Sequence, residues 1–162
     1  MNIKRVYKKV LIDESLREYI FPKTKKFVDD NDNRAILTRE ITKAQWNGLL
    51  SFCMRKENIA SMIHYLQEKM ERKESPWGKI VKEEGEESTV GEYIIKHLRR
   101  IEEGRLNDTL DKTKYRINEA FPEENLKSIL IDEKEKEIVL LQARLFIRTL
   151  VKNVLIKFEE RV

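Results

Sequence analysis

Residues 132–162 read DEKEKEIVLLQARLFIRTLVKNVLIKFEERV, a stretch with a marked helical start and no interior Gly or Pro. Asp132 stands where an N-cap belongs, and Glu133, Glu135 and Glu137 put negative charge at the positive end of the helix dipole. Leu140, Ala143, Ile147, Leu150, Val151, Val154 and Phe158 recur at three- and four-residue spacing and share one face. Ile138, Leu141, Leu145 and Ile156 form a second, narrower apolar stripe. A helix apolar on two sides has protein on two sides, so this one is the centre of a bundle or partly an interface. Arg144, Arg148 and Lys152 follow one another at i, i+4, i+8 between the stripes. Such a row is a phosphate track on one reading and, more commonly, a solvated seam on the other.

Working outward, the whole chain has the length and composition of a single helical domain spanning residues 1–162. Five Gly and three Pro are too few for turn-rich β architecture, while charged residues reach 38%. Glutamine occurs only at Gln45, Gln67 and Gln142 against abundant Lys and Glu, a bias resembling proteins of hot environments and pointing to a thermophilic source. The net charge of +4 is unevenly placed. Residues 1–28 hold eight Lys or Arg against three acids, including Lys4, Arg5, Lys8 and Lys9. A basic end suits a nucleic-acid partner, and Lys-rich surfaces also serve simply to solubilise.

Cys53 is the only cysteine and lies in the apolar run LLSFCM, which favours an inert core thiol over a nucleophile. The N-terminal charges are followed by no signal-like apolar run, and no stretch reaches the roughly 18 apolar residues of a membrane span. The expectation is a soluble cytoplasmic protein.

Between the ends, Ile3, Val6, Tyr7, Val10 and Leu11 have helical spacing, with enough β-branching to leave a strand open. Asp13 caps a helix through Leu16, Tyr19 and Ile20, which Pro22 breaks or kinks. Lys23 to Asp30 then forms a short turn, and the polar cluster at 29–33 is a connector. Thr42 caps a helical region that includes Trp46, Leu49, Leu50 and Cys53 and runs on through Ile59, Met62, Ile63, Leu66 and Met70. This is one helix, or two joined near Lys56-Glu57-Asn58. Ser75-Pro76 opens a short helix carrying Trp77, Ile80 and Val81, and EEGEES at 83–88 reads as a mobile loop. Thr89 and Glu92 have capping-box spacing ahead of Tyr93, Ile94, Ile95, Leu98 and Ile101, with Gly104 as the stop. Leu106, Leu110, Ile117 and Phe121 indicate a further helix, and Pro122 restarts the chain through Leu126, Ile129 and Leu130. The fold class is all-α, a bundle of five to seven helices.

Catalytic signatures are missing. His64 and His97 have no companion at metal-ligand spacing, and neither GxxxxGK[ST] nor GxGxxG occurs. No Arg precedes either histidine at the four- to six-residue spacing of the helical ribonucleases. Both histidines read as structural or exposed. No catalytic residue, metal or cofactor is expected.

Leu37-Thr38-Arg39-Glu40-Ile41-Thr42-Lys43-Ala44-Gln45-Trp46-Asn47-Gly48-Leu49-Leu50 resembles the opening of the first helix in the small α-helical subunit of type III CRISPR–Cas effector complexes. The closing helix, with Leu141, Ala143, Arg144, Phe146, Ile147 and Leu150, is similar to that family's last helix, an acidic start leading into an aromatic and basic run. The chain departs from the pattern in being somewhat long, and its 75–105 region has no counterpart. The resemblance implies a subunit that stacks in several copies along a crRNA-guided complex, touches the RNA–DNA backbone through basic side chains, and cleaves nothing. The candidate contacts are Lys4, Arg5, Lys8, Lys9, Arg99, Arg100, Arg144, Arg148 and Lys152. The competing expectation is a helical protein-interaction module (an adaptor, antitoxin or regulator) acting through an apolar helix face and anchored by Trp46, Trp77 and Phe158, in its simplest version a homodimer.

Overall fold

The computed structural model describes residues 3–107, 119 and 136–160. The expectations for Leu110, Ile117, Phe121, Pro122, Leu126, Ile129, Leu130, Asp132, Glu133 and Glu135 fall outside them. Helices α1 (Ile3–Ser15) and α2 (Phe21–Asp29) are joined without a break by a π-helical turn at Leu16–Ile20. Pro22 therefore does not end the helix. Phe21 N–H reaches back to Leu16 O, the wider i→i+5 bond, so the chain enters α2 with Pro22 in its first turn, where a missing N–H costs least. Asp13 lies inside this rod rather than capping it, and Lys23 to Asp30 is mostly helical.

The expected connector at 29–33 is also corrected. Only Asp30 leaves helical geometry, and its carboxylate accepts from the N–H groups of Asp32 and Asn33 to start α3 (Asn31–Arg39). Thr42 and Gln45 form a capping box at the head of α4 (Lys43–Arg55). Asn58 caps α5 (Ile59–Glu71), so the Lys56–Asn58 turn separates two helices.

The acidic run read as a mobile loop is a β-hairpin, β1 (Ile80–Glu83) paired antiparallel with β2 (Glu86–Thr89). Glu84 and Gly85 both take positive φ, the requirement of a two-residue turn that matches the strand twist. Its strands are short and half of their residues are charged, with Val81 the buried anchor. Thr89 ends β2 and also caps α6 (Val90–Glu102) in a box with Glu92, and Gly104 at φ 75° follows as the stop.

The closing helix, α7 (Lys136–Glu159), is the longest α-helix among the described residues and sits at the centre. Ile138, Val139, Ala143, Phe146, Ile147, Leu150, Val151 and Val154 are buried, and α7 touches α1, the π turn, α2, α3, α4 and α6. Each large apolar side chain removed from water contributes about 1.5–3 kcal/mol, so this face is the main source of cohesion. Lys8 meets Glu137, Ser15 meets Gln142, Thr24 meets Asn153 and Asp29 meets Lys157, which sets the α1–α2 rod parallel to α7. Lys43 near Glu159 and Lys56 near Arg144 set α4 antiparallel on the other flank. Among the described residues the architecture is an all-α bundle bearing one small hairpin. No helix among the described residues is long and apolar enough to cross a membrane.

Candidate nucleic-acid interface

The basic row of α7 divides into parts with different surroundings. Arg144 is half-buried, and its Nη2 donates to Lys56 O at 2.7 Å, where α4 ends. The last carbonyls of a helix lack intrahelical donors and carry the negative end of its dipole, so Arg144 closes α4. Its Nε is buried without a hydrogen-bond partner among the described residues. Arg148 and Lys152 are exposed, and no described carboxylate pairs with either. Arg148 Nη2 lies 3.6 Å from Met54 Sδ, on the α4 side. At 100° per residue, Leu141, Arg148, Lys152 and Ile156 share one solvent-facing strip between α4 and the α1–α2 rod. Leu141 is 40% and Ile156 45% exposed, so part of the second apolar stripe is uncovered, whereas its member Ile138 is buried.

The N-terminal cluster begins beside that strip. Lys8 is bound to Glu137 at 3.1 Å, and Arg5 and Lys9 are exposed on the same helix, whereas the side chain of Lys4 lies outside the described residues. Arg99 and Arg100 are exposed at the far end of α6, on a different part of the surface. Arg100 stands over the Tyr19 ring at 5.9 Å, and Arg99 shares a shallow cleft with Glu71 and Glu92. The structure thus gathers Lys8, Arg148 and Lys152 along α7 and leaves the α6 pair apart.

No protein-family model, curated protein sequence or solved structure matches this chain. What the surface can do follows from its own chemistry.

The polar cluster that sequence reading missed surrounds His97, which is buried. Tyr19 Oη lies 2.8 Å from His97 Nδ1, and His97 Nε2 lies 2.8 Å from Glu83 Oε2. Lys96 also bonds to Glu83. A proton on Nε2 points at Glu83, which accepts it, and Tyr19 lies at the other ring nitrogen. Burial pushes the Glu83 carboxyl up, but hydrogen bonds from His97 and Lys96 outweigh it and hold the group at about 2. Burial raises Tyr19 as well, against the opposing charge of Arg100. Tyr93 stacks on Phe27 at 3.6 Å and meets His97 edge-on, its hydroxyl buried without a described partner. Histidine and tyrosine here join the π turn, α6 and the hairpin, residues 14 to 78 apart in sequence, a relation no local pattern encodes.

This cluster makes stability acid-sensitive. Glu83 binds its proton less readily when folded than the ordinary value of 4.5, so its contribution is complete above that value and is lost as pH falls through it towards about 2. The expected result in thermal melts is that the wild-type advantage over Glu83→Gln, present at pH 7, shrinks steadily below pH 4.5. An advantage constant down to pH 3 would show that the carboxylate charge carries nothing.

The remaining reactive groups are quiet. Cys53 is buried and its thiol is pushed up to about 12 by burial, so it carries no thiolate at neutral pH. His64 is exposed and 3.1 Å from Glu68, and no metal-ligating cluster occurs among the described residues.

Proposed function

We propose that the protein is a non-catalytic, nucleic-acid-contacting subunit of a ribonucleoprotein of the CRISPR effector kind, holding the phosphate backbone without reading sequence. The observation carrying this reading is the α7 strip, where Arg148 and Lys152 stand exposed and free of described carboxylates on the central helix. Cations there meet phosphates without first breaking an ion pair, and each contact releases condensed counterions. Lys8 lies at the start of α7 in its pair with Glu137, with Arg5 and Lys9 exposed on the same helix α1, while Arg144 is spent on the end of α4.

Fluorescence anisotropy with labelled single-stranded RNA and DNA over a salt series tests it. Affinity is expected to fall linearly in log–log form. Arg148→Glu combined with Lys152→Glu should make the slope shallower by about 1.4, at roughly 0.7 per phosphate contact on a single strand. No binding of either strand at about 50 mM salt overturns the reading for the isolated chain.

A second reading, a protein-interaction module, is favoured by Leu141 and Ile156, which leave apolar surface on the same strip. A homodimer seen by light scattering and abolished by Leu141→Lys with Ile156→Lys, together with no RNA binding, would support it over the first.

A further inference from the structure

A cleft of about 380 Å³ lies between α4, α5 and the segment that follows α5. Its rim carries three cations, Lys69, Arg72 and Lys73, against one acid, Glu74. Among the described residues none of the three cations forms an ion pair. Its wall includes Tyr65, half-buried and stacked on Phe52 with ring centroids 4.1 Å apart. Lys56 stands over the Phe52 ring at 4.7 Å and Lys69 over the Tyr65 ring at 5.3 Å, so the aromatic pair sits between two ammonium groups. Arg72 and Tyr65 line the same cleft, and the charge of Arg72 opposes the rise that burial imposes on the Tyr65 hydroxyl.

Two further features keep the cleft open and shaped. Gly48 lies inside α4, where glycine is less favourable than alanine. A Cβ there would only just touch Tyr65 Oη, at 3.9 Å, so the helix tolerates a side chain and its absence leaves room beside the tyrosine hydroxyl. Glu74 holds φ at +60°, a strained value for a residue with a side chain, and the chain turns there from Arg72 and Lys73 into the Ser75-capped turn under Trp77. Gln45 Oε1 is committed to the α4 capping box, leaving its NH₂ group at the cleft as a neutral donor.

We propose that this cleft binds one nucleotide of a single-stranded nucleic acid, its phosphate held by Arg72 and Lys73 and its base laid against Tyr65 in the space above Gly48. The volume falls within the roughly 300–1,000 Å³ of small-molecule sites. Aromatic wall and basic rim are the two parts of a sequence-tolerant single-strand site, the first supplying stacking and the second phosphate attraction. Lys69 swings off the Tyr65 face to reach the strand, a movement that its flexible stem permits. The proposal rests on the backbone-binding reading above and adds a preference for single strands, since a paired base is not free to enter.

The test uses the full chain and labelled oligouridylate, with an RNA duplex of the same length beside it. Arg72→Glu with Lys73→Glu is expected to weaken single-strand binding tenfold or more. Gly48→Gln, which fills the cleft without changing charge, should weaken single-strand binding severalfold while leaving the duplex and the salt slope unchanged. RNA carrying 5-iodouridine should crosslink to Tyr65 on irradiation, and circular dichroism verifies that each variant is folded. Wild-type binding that survives both cleft changes but is lost in Arg148→Glu with Lys152→Glu overturns the cleft and leaves the general reading standing. Equal loss of single strand and duplex in Gly48→Gln also overturns it. A wild-type chain that binds neither RNA form overturns both.

Discussion

Trp46→Ala is expected to lower the unfolding free energy by about 3–5 kcal/mol, the range for removing a buried aromatic side chain. Trp46 is fully excluded from solvent and meets Trp77 edge-on with ring centroids 5.0 Å apart. Its indole Nε1 donates to Leu37 O at 2.9 Å. Leu37 lies in the last turn of α3, whose carbonyls have no helical donor, so the indole closes α3 as Arg144 closes α4. Truncation opens a cavity and strands that carbonyl. Trp46→Phe keeps most of the bulk and loses the donor, and should cost about 1–3 kcal/mol, the penalty of an unsatisfied buried group. Guanidinium unfolding at constant m-value measures both. A loss below about 1 kcal/mol for Trp46→Ala would mean that the cavity collapses and the core is plastic there.

The second large effect belongs to Asn33, a buried polar residue in the stretch that sequence reading takes for a connector. Its Nδ2 donates to Phe27 O at 3.0 Å and to Lys82 O at 2.7 Å, while its Oδ1 accepts from Lys82 N at 2.8 Å. The carboxamide thus serves the free edge of β1 as a neighbouring strand would, and ties it to the end of α2. Asn33→Ala removes three hydrogen bonds worth about 1 kcal/mol each net, and leaves their backbone partners partly buried, for an expected loss of about 2–4 kcal/mol. Asn33→Asp has the same shape but turns an acceptor towards two carbonyls, so it should be worse than the alanine. Amide hydrogen exchange across residues 80–89 should accelerate in both variants, because the hairpin loses its anchor. An aspartate variant as stable as wild type would show that the amide donor is not what holds the hairpin.

What was legible in the sequence is local. The pairs Thr42 with Gln45 and Thr89 with Glu92 act as capping boxes, and Gly104 ends α6, because each relation spans one helical turn. The faces of α7 follow from 3.6-residue periodicity, and Leu150 and Val154 are buried as that period requires. The hairpin escaped because strands rich in Lys and Glu carry little alternation, and Glu84-Gly85 gives only a weak turn signal. The cluster at 29–33 escaped because Asp and Asn serve connectors and helix caps equally well. The Pro22 rule failed because a π turn supplies a register in which the proline needs no hydrogen bond.

By itself, then, the sequence determined an all-α bundle around its last helix, the capped starts of α4 and α6, and which cations share a face of α7. Tertiary structure alone decided what the cations meet: Arg144 turned to the end of α4, Lys8 of α1 paired with Glu137, Arg148 and Lys152 left to solvent. It alone brought Tyr19, His97 and Glu83 into one hydrogen-bonded chain and set Tyr65 beside Arg72 in a cleft. The physical reason is one of range. Periodicity and capping act over a turn or two of backbone, whereas the partner of a charge or a ring is fixed only when helices distant in the chain pack and exclude water between them.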